Sequence, residues 1–175
     1  MNSQIQYTTL KNLLLPICLF ACLLVFQTQA EAQEQPPRPI LVTVEVSQQL
    51  NFGKFIPFGS GGKVIVDSDG NRQLPIGNVI LVNSYTSAAR YRVDAEPGTL
   101  ITIAPIPPAT LTGSNRGTLS LQLGVPRIDS RDVTTFITNS QITYVSIGGT
   151  LTVESLMANP AGIYSGTFQV TFIQE

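Results

Sequence analysis

Gly162-Ile163-Tyr164-Ser165-Gly166-Thr167-Phe168-Gln169-Val170-Thr171-Phe172-Ile173-Gln174-Glu175 closes the chain and decides how it is read. From Tyr164 to Phe172 every second residue is apolar or glycine, with Ser165, Thr167, Gln169 and Thr171 between them. A repeat of two is the period of a strand with one dry face and one wet face. Burying Phe168, Val170 and Phe172 contributes about 1.5–3 kcal/mol each. No later residue stands ready to pair with the second edge of this strand. An edge of that quality calls for a cover or a partner.

The same alternation recurs upstream. Ile40, Val42, Val44 and Val46 share one face, with Thr43 and Glu45 on the other. Leu50 to Gly53 reads as a short strand, Lys54 to Gly62 as a loop, and Lys63 to Asp67 as a strand turned by Asp67-Ser68-Asp69-Gly70-Asn71. Val79 to Val82 follows, and then Ala89, Tyr91, Val93 and Ala95 alternate with Arg90, Arg92, Asp94 and Glu96. A three-residue Pro97-Gly98-Thr99 turn would set Ala95 opposite Ile101 and Val93 opposite Ile103, keeping the apolar faces in agreement. Leu119, Leu121 and Leu123 mark another strand, and Arg127 to Arg131 reads as a solvated loop. Ile142–Ile147 and Leu151–Glu154 flank Gly148-Gly149-Thr150, either as a hairpin with Ile147 opposite Leu151 or as one strand with a glycine bulge. Short strands between Gly/Pro turns, with no helical period, predict an all-β protein: one Ig-like, pilin-like antiparallel β-sandwich spanning 40–175.

Residues 1–32 read as a signal peptide. Lys11 precedes the apolar run Leu13–Phe26, and Ala30-Glu31-Ala32 has the small-x-small form of a cleavage site. The run is short for a membrane span, which needs about 20 apolar residues. Leu19-Phe20-Ala21-Cys22 resembles a lipobox, but apolar residues continue past Cys22 and Phe20 fits its position poorly. Both cysteines, Cys18 and Cys22, therefore leave with the leader. Removing 32 of 175 residues leaves 143, the size of one domain. Gln33 to Pro39 is a proline-rich tether. The expected location is exported: periplasm, cell surface or medium.

Chemistry is excluded more sharply than it is assigned. The chain has no histidine, and its two cysteines sit in the leader, so no Ser-His or Cys-His pair and no zinc site is expected. The acids lie singly or in turns, as Asp67/Asp69 and Asp129/Asp132 do, and we expect no catalytic residue, no cofactor and no metal site. Asp67-Ser68-Asp69 resembles half a calcium loop, but Asn78 stands near where the closing glutamate should be, and Asp-Gly is a turn signal in its own right. Gly59-Ser60-Gly61-Gly62-Lys63 lacks the spacing of a phosphate cradle. A net charge of −1 without a basic cluster argues against nucleic acid.

Three motifs in order carry a family resemblance. Leu50-Asn51-Phe52-Gly53 resembles an L-x-F-G start, Gly148-Gly149-Thr150-Leu151-Thr152-Val153 a late G-x-T-L, and Gly162 to Thr171 a G-x-Y-x-G-x-F-x-V ending. Together they resemble the bacterial domain of unknown function family 4402, which is related to spore coat protein U domains and archaic chaperone–usher pilins. The resemblance covers about residues 40–173 and supplies no catalytic residue. It implies an exported surface or fimbrial subunit, with itself (by strand exchange) or a periplasmic chaperone and usher as partners. Archaic pilins carry a disulfide and a donor strand ahead of their first strand. Here the processed chain would have no cysteine, and only Gln33–Pro39 precedes Ile40.

The candidate assembly residues are Ile40, Val42, Val44 and Val46 on one side and Tyr164, Phe168, Val170 and Phe172 on the other. Ile40–Val46 is expected to complete the final strand, within the subunit or by exchange. The alternative function is a secreted module binding carbohydrate or protein, with Tyr85, Tyr91 and Tyr144 as candidate contacts. Mass spectrometry of the exported protein should find a chain beginning after Ala30 or Ala32, and one beginning at an acylated Cys22 would refute that processing.

Overall fold

The computed structural model describes residues 41–44 and 48–175. The leader (1–32), the tether (33–39) and the candidates Ile40 and Val46 lie outside the described residues. The first seven strands are β1 (Leu41–Val44), β2 (Lys54–Val66), β3 (Ile76–Val82), β4 (Ala89–Asp94), β5 (Leu100–Ile103), β6 (Ala109–Gly113) and β7 (Thr118–Leu123). The rest are β8 (Arg127–Ile128), β9 (Arg131–Asp132), β10 (Thr135–Ile137), β11 (Ile142–Ile147), β12 (Gly149–Val153), β13 (Tyr164–Ser165) and β14 (Phe172–Gln174). They form three antiparallel sheets in the orders β1-β4-β11-β8-β9, β10-β5-β14 and β13-β6-β7-β12-β2-β3. The fold is an all-β sandwich, as its alternating segments predict.

One core serves all three sheets. Val93, Val145 and Ile147 come from the first, Ile101 from the second, and Val64, Val66, Leu119 and Leu151 from the third, each at most 2% exposed. The period-two pattern is clean where one face is wet: β7 alternates exposed and buried over Thr118–Leu123, and β4 does so over Ala89–Asp94. Each of these aliphatic side chains contributes about 1.5–3 kcal/mol by leaving water.

Several expected hairpins are instead corners. β4 pairs with β1 and β11, and β5 pairs with β10 and β14, so Val93 and Ile103 are not cross-strand partners. The turn at Pro97–Thr99 carries the chain from one sheet to another. Thr138, 1% exposed, pins that corner: its hydroxyl donates to Glu96 O and accepts from Thr99 N, while Gly98 N donates to Thr138 O. Likewise Ile147 and Leu151 face different partners, Ala89 and Val64, because the chain changes sheets at Gly148. A Cβ there would lie 2.3 Å from Val66 O, so the crossing demands glycine.

Two expected loops are ladders. Lys54–Gly62 belongs to the 13-residue β2, whose register with β3 jumps between Pro57 and Gly62. Gly59 and Gly61, at φ +54 and +77, let Phe58–Gly61 bulge out opposite Asn78 without ending the strand. Arg127–Arg131 is a small hairpin, β8–β9, turned through Asp129 and Ser130 at positive φ. Asp67 does form a turn. Its Oδ1 accepts from the Asp69 and Asn71 amides and its Oδ2 from Gln73 Nε2, while Asp69 pairs with Arg127 at 3.0 Å.

Tyr91 is 6% exposed, with its ring 5.8 Å from that of Phe172. Burial pushes its phenol from 10.0 up to about 12. A raised folded-state pKa means that the unfolded chain releases this proton first. The stability it contributes is therefore complete below pH 10.0 and falls away as pH rises toward about 12. Denaturant titrations across that range should show a loss of stability that is smaller in Tyr91→Phe.

Candidate functional site

The final segment follows one path but belongs to two sheets. Tyr164 and Ser165 pair with Gly113 and Thr112, whereas Phe172–Gln174 pair with Ile103–Ile101. Between them Gly166–Thr171 forms no ladder, although Ala104 N donates to Thr171 O at 3.0 Å. The cause is on the facing stretch. Its step from Ile103 to Thr112 is nine residues against seven from Ser165 to Phe172, and Pro105, Pro107 and Pro108 there have no N–H to donate. Tyr164, Phe168, Val170 and Phe172 are partly buried and packed on the core. Among the described residues β13 and β14 are edge strands, and none of those residues adds a strand to the far side of this segment.

The facing wall is Leu50–Pro57. β12 pairs with β2 only from Gly62 onward, so Lys54–Pro57 pair with β3 and leave their other edge free. This wall is firmly held. Asn51 and Ser87 exchange two backbone hydrogen bonds of 2.8 and 3.1 Å, Asn51 Oδ1 accepts from Gly53 N, and Ser84 Oγ accepts from Lys54 N. The Arg72 guanidinium donates to three carbonyls, Phe52 O at 3.3 Å, Lys54 O at 2.9 Å and Val82 O at 2.6 Å.

Two adjoining cavities of 480 and 410 Å³ lie against these two stretches. Leu50, Phe52, Leu111 and Tyr164 line both. Leu119, Leu151 and Val153 floor the larger, while Tyr85, Ser165 and Phe168 flank the smaller. The Tyr164 hydroxyl donates to Pro160 O at 2.7 Å, fixing the ring between them. Leu156 and Ile163, 50% and 79% exposed, stand on the rim of the larger cavity. The site is an apolar groove bounded by unpaired backbone, with the shape and chemistry to accept a strand.

Of the expected assembly residues, Tyr164 and Phe168 line this groove, and Val170 and Phe172 continue the same edge. The first strand lies elsewhere. Val42 and Val44 take the register positions opposite Val93 and Tyr91, so Leu41–Val44 extends the sheet of β4 and does not complete the final strand. The physical reason is that β4 offers an open edge whose buried positions match the same alternation. Leu50, Phe52, Leu111 and Leu151 were not expected at the site. Three of the four lie in the motifs Leu50–Gly53 and Gly148–Val153, and the third motif, Gly162–Thr171, supplies Tyr164: all three meet at one groove. Among the tyrosines, Tyr91 is buried, Tyr144 carries Arg90 4.1 Å above its ring centroid, and Tyr85 is 65% exposed beside the smaller cavity.

Arg72→Ala should release both ends of the groove wall at once. Hydrogen bonds to a charged group contribute about 1.5–3 kcal/mol each, and thermal or denaturant melts should show a loss of about 2–4 kcal/mol after partial rescue by water.

Neither the curated proteins nor the solved structures hold a match to this chain. The family model described as a domain of unknown function (DUF4402) matches residues 42–173, which takes in every wall of the groove. The chain therefore belongs to the family of unknown function that the model defines, DUF4402.

Proposed function

We propose that this is an exported, non-enzymatic structural subunit of a bacterial surface assembly, built to take up a β-strand from another chain. The observation that carries the reading is an apolar groove, floored by Leu111, Leu119 and Leu151, that is lined by Lys54–Pro57 and by Tyr164 of the final segment, two stretches whose outer backbone edges no described residue pairs. An alternating apolar strand laid along the final segment would satisfy its unpaired backbone groups and extend the apolar cover of the floor. The apolar run Leu13–Phe26 supports export. The likeness of the motifs to pilin-like domains supports a fimbrial or adhesive setting, with a neighbouring copy or a periplasmic chaperone as the strand donor. The lack of any histidine, and of any cysteine beyond Cys22, supports a role without covalent chemistry.

A second reading has one observation of its own. Tyr85 stands 65% exposed at the 410 Å³ cavity beside Gln49, Asn51 and Ser165, an aromatic face among polar groups that suits a sugar ring. On that reading the protein is a binding module with this cavity as its ligand site.

The two readings separate on assembly. Protein isolated from the export compartment should run as oligomers or show filaments by negative stain. Leu111→Arg, which places a long charged side chain in the groove, should leave circular dichroism unchanged and abolish assembly. A wild-type protein that stays monomeric alone and with its exported neighbours, yet is retained on glycan supports in a Tyr85-dependent way, would favour the binding module.

A further inference from the structure

The outer face of the β2–β3 hairpin carries a second surface, which meets the groove only at its wall, where Lys54 and Ile56 line the larger cavity. Ile56 lies opposite Ile80, and Lys63 lies opposite Ile76. The next pair along, Pro57 and Val79, is buried, so Ile56, Ile76 and Ile80 turn away from the core and are 51, 57 and 56% exposed. Phe58, 48% exposed, opens the glycine-rich bulge, and Leu74, 87% exposed, leads into β3. Five large apolar side chains on one hairpin form a patch of the kind that marks an interaction surface.

The charges around the patch select its partner. Lys54 and Lys63 are exposed on β2, and after Lys11 they are the only lysines in the sequence. No aspartate or glutamate occurs over residues 47–66 or 72–93. A strand added at the edge of β3 would leave this face uncovered. A second copy laid face to face would bring lysines against lysines. A soluble polyanion would match the lysines and leave Ile56, Phe58 and Ile80 in water. A bilayer containing anionic lipid matches both: headgroup phosphates take the ammonium groups while the apolar side chains enter the acyl boundary, and the lysine stems lie along that boundary. We propose that the outer face of the β2–β3 hairpin docks this protein onto an anionic lipid surface. Among the described residues no helix is long and apolar enough to cross a membrane.

The test is co-sedimentation with vesicles of phosphatidylcholine alone or mixed with phosphatidylglycerol. Wild type and variants are recovered alike from the export compartment, so any retained leader contributes equally to each. Wild type should pellet with the mixed vesicles, less with pure phosphatidylcholine, and less at high salt. Lys54→Gln and Lys63→Gln should each lower the partition coefficient about five-fold. The pair Ile76→Ser and Ile80→Ser, both at exposed positions that line neither cavity, should remove binding to either vesicle while leaving the thermal melt unchanged. The groove variant Leu111→Arg should bind vesicles as wild type does, which separates failure here from failure of the assembly reading. Equal partitioning by wild type and the serine variant, or indifference to phosphatidylglycerol, would overturn the proposal. So would a serine variant that turns a dimer into a monomer, because the patch would then belong to a second copy.

Discussion

Everything in this fold depends on keeping one dry interior with no covalent cross-link to hold it. Residues 41–175 contain no cysteine, so three sheets must be joined by the aliphatic side chains that alternate inward along their strands. Val93 and Val145 from one sheet, Ile101 from another, and Val64 and Leu151 from the third are all at most 2% exposed. A core assembled this way constrains the backbone as much as the side chains. Any strand that leaves one sheet must join another with its inward positions still inward. The corners at Pro97–Thr99 and Gly148 meet that condition, the first through the buried Thr138 hydroxyl and the second through the lack of a Cβ.

That condition explains what the sequence made legible. Alternation predicts which residues face the core, and it did so for β4 and β7. It does not say which strand lies alongside. Val93 and Ile103 share the interior whether their strands form a hairpin or sit in different sheets, so facing agreement could not separate a turn from a corner. The same ambiguity set Ile147 against Leu151. Lys54–Gly62 was opaque for a different reason: its glycines permit a positive-φ bulge inside a strand as readily as a loop, and only the register with β3 distinguishes them.

The groove was half legible. The edge character of Tyr164, Phe168, Val170 and Phe172 follows from a strong strand with no obvious second partner. The opposite wall does not follow from local pattern. Leu50 and Phe52 come to the site because Asn51 is bridged to Ser87 and because Arg72 gathers the carbonyls of Phe52, Lys54 and Val82. These contacts span 10 to 36 residues, beyond the reach of any periodicity. Leu41–Val44 misleads for the converse reason. Its alternation suits any open edge beside an apolar floor, and the edge of β4 is the one it meets.

Free edges in this protein are treated unequally, and the difference bears on assembly. β9 is two charged residues, Arg131 and Asp132, and β10 is three residues long, both too short to template another chain. β3 is seven residues with no charge, but Gly77 at φ +84 and the bulge opposite Asn78 break its flatness. The strands of the final segment are no longer, two residues in β13 and three in β14, but they lie on one path from Tyr164 to Gln174 that carries no charge. Its Tyr164–Phe168 stretch borders an apolar floor that it shares with the Leu50–Pro57 wall, so a strand added there would cover apolar surface as well as pair the backbone. If a strand enters there, as proposed, its alternate positions would face the floor of Leu111, Leu119 and Leu151, so a strand of the wrong register would place polar groups on that floor and lose the burial that would hold it.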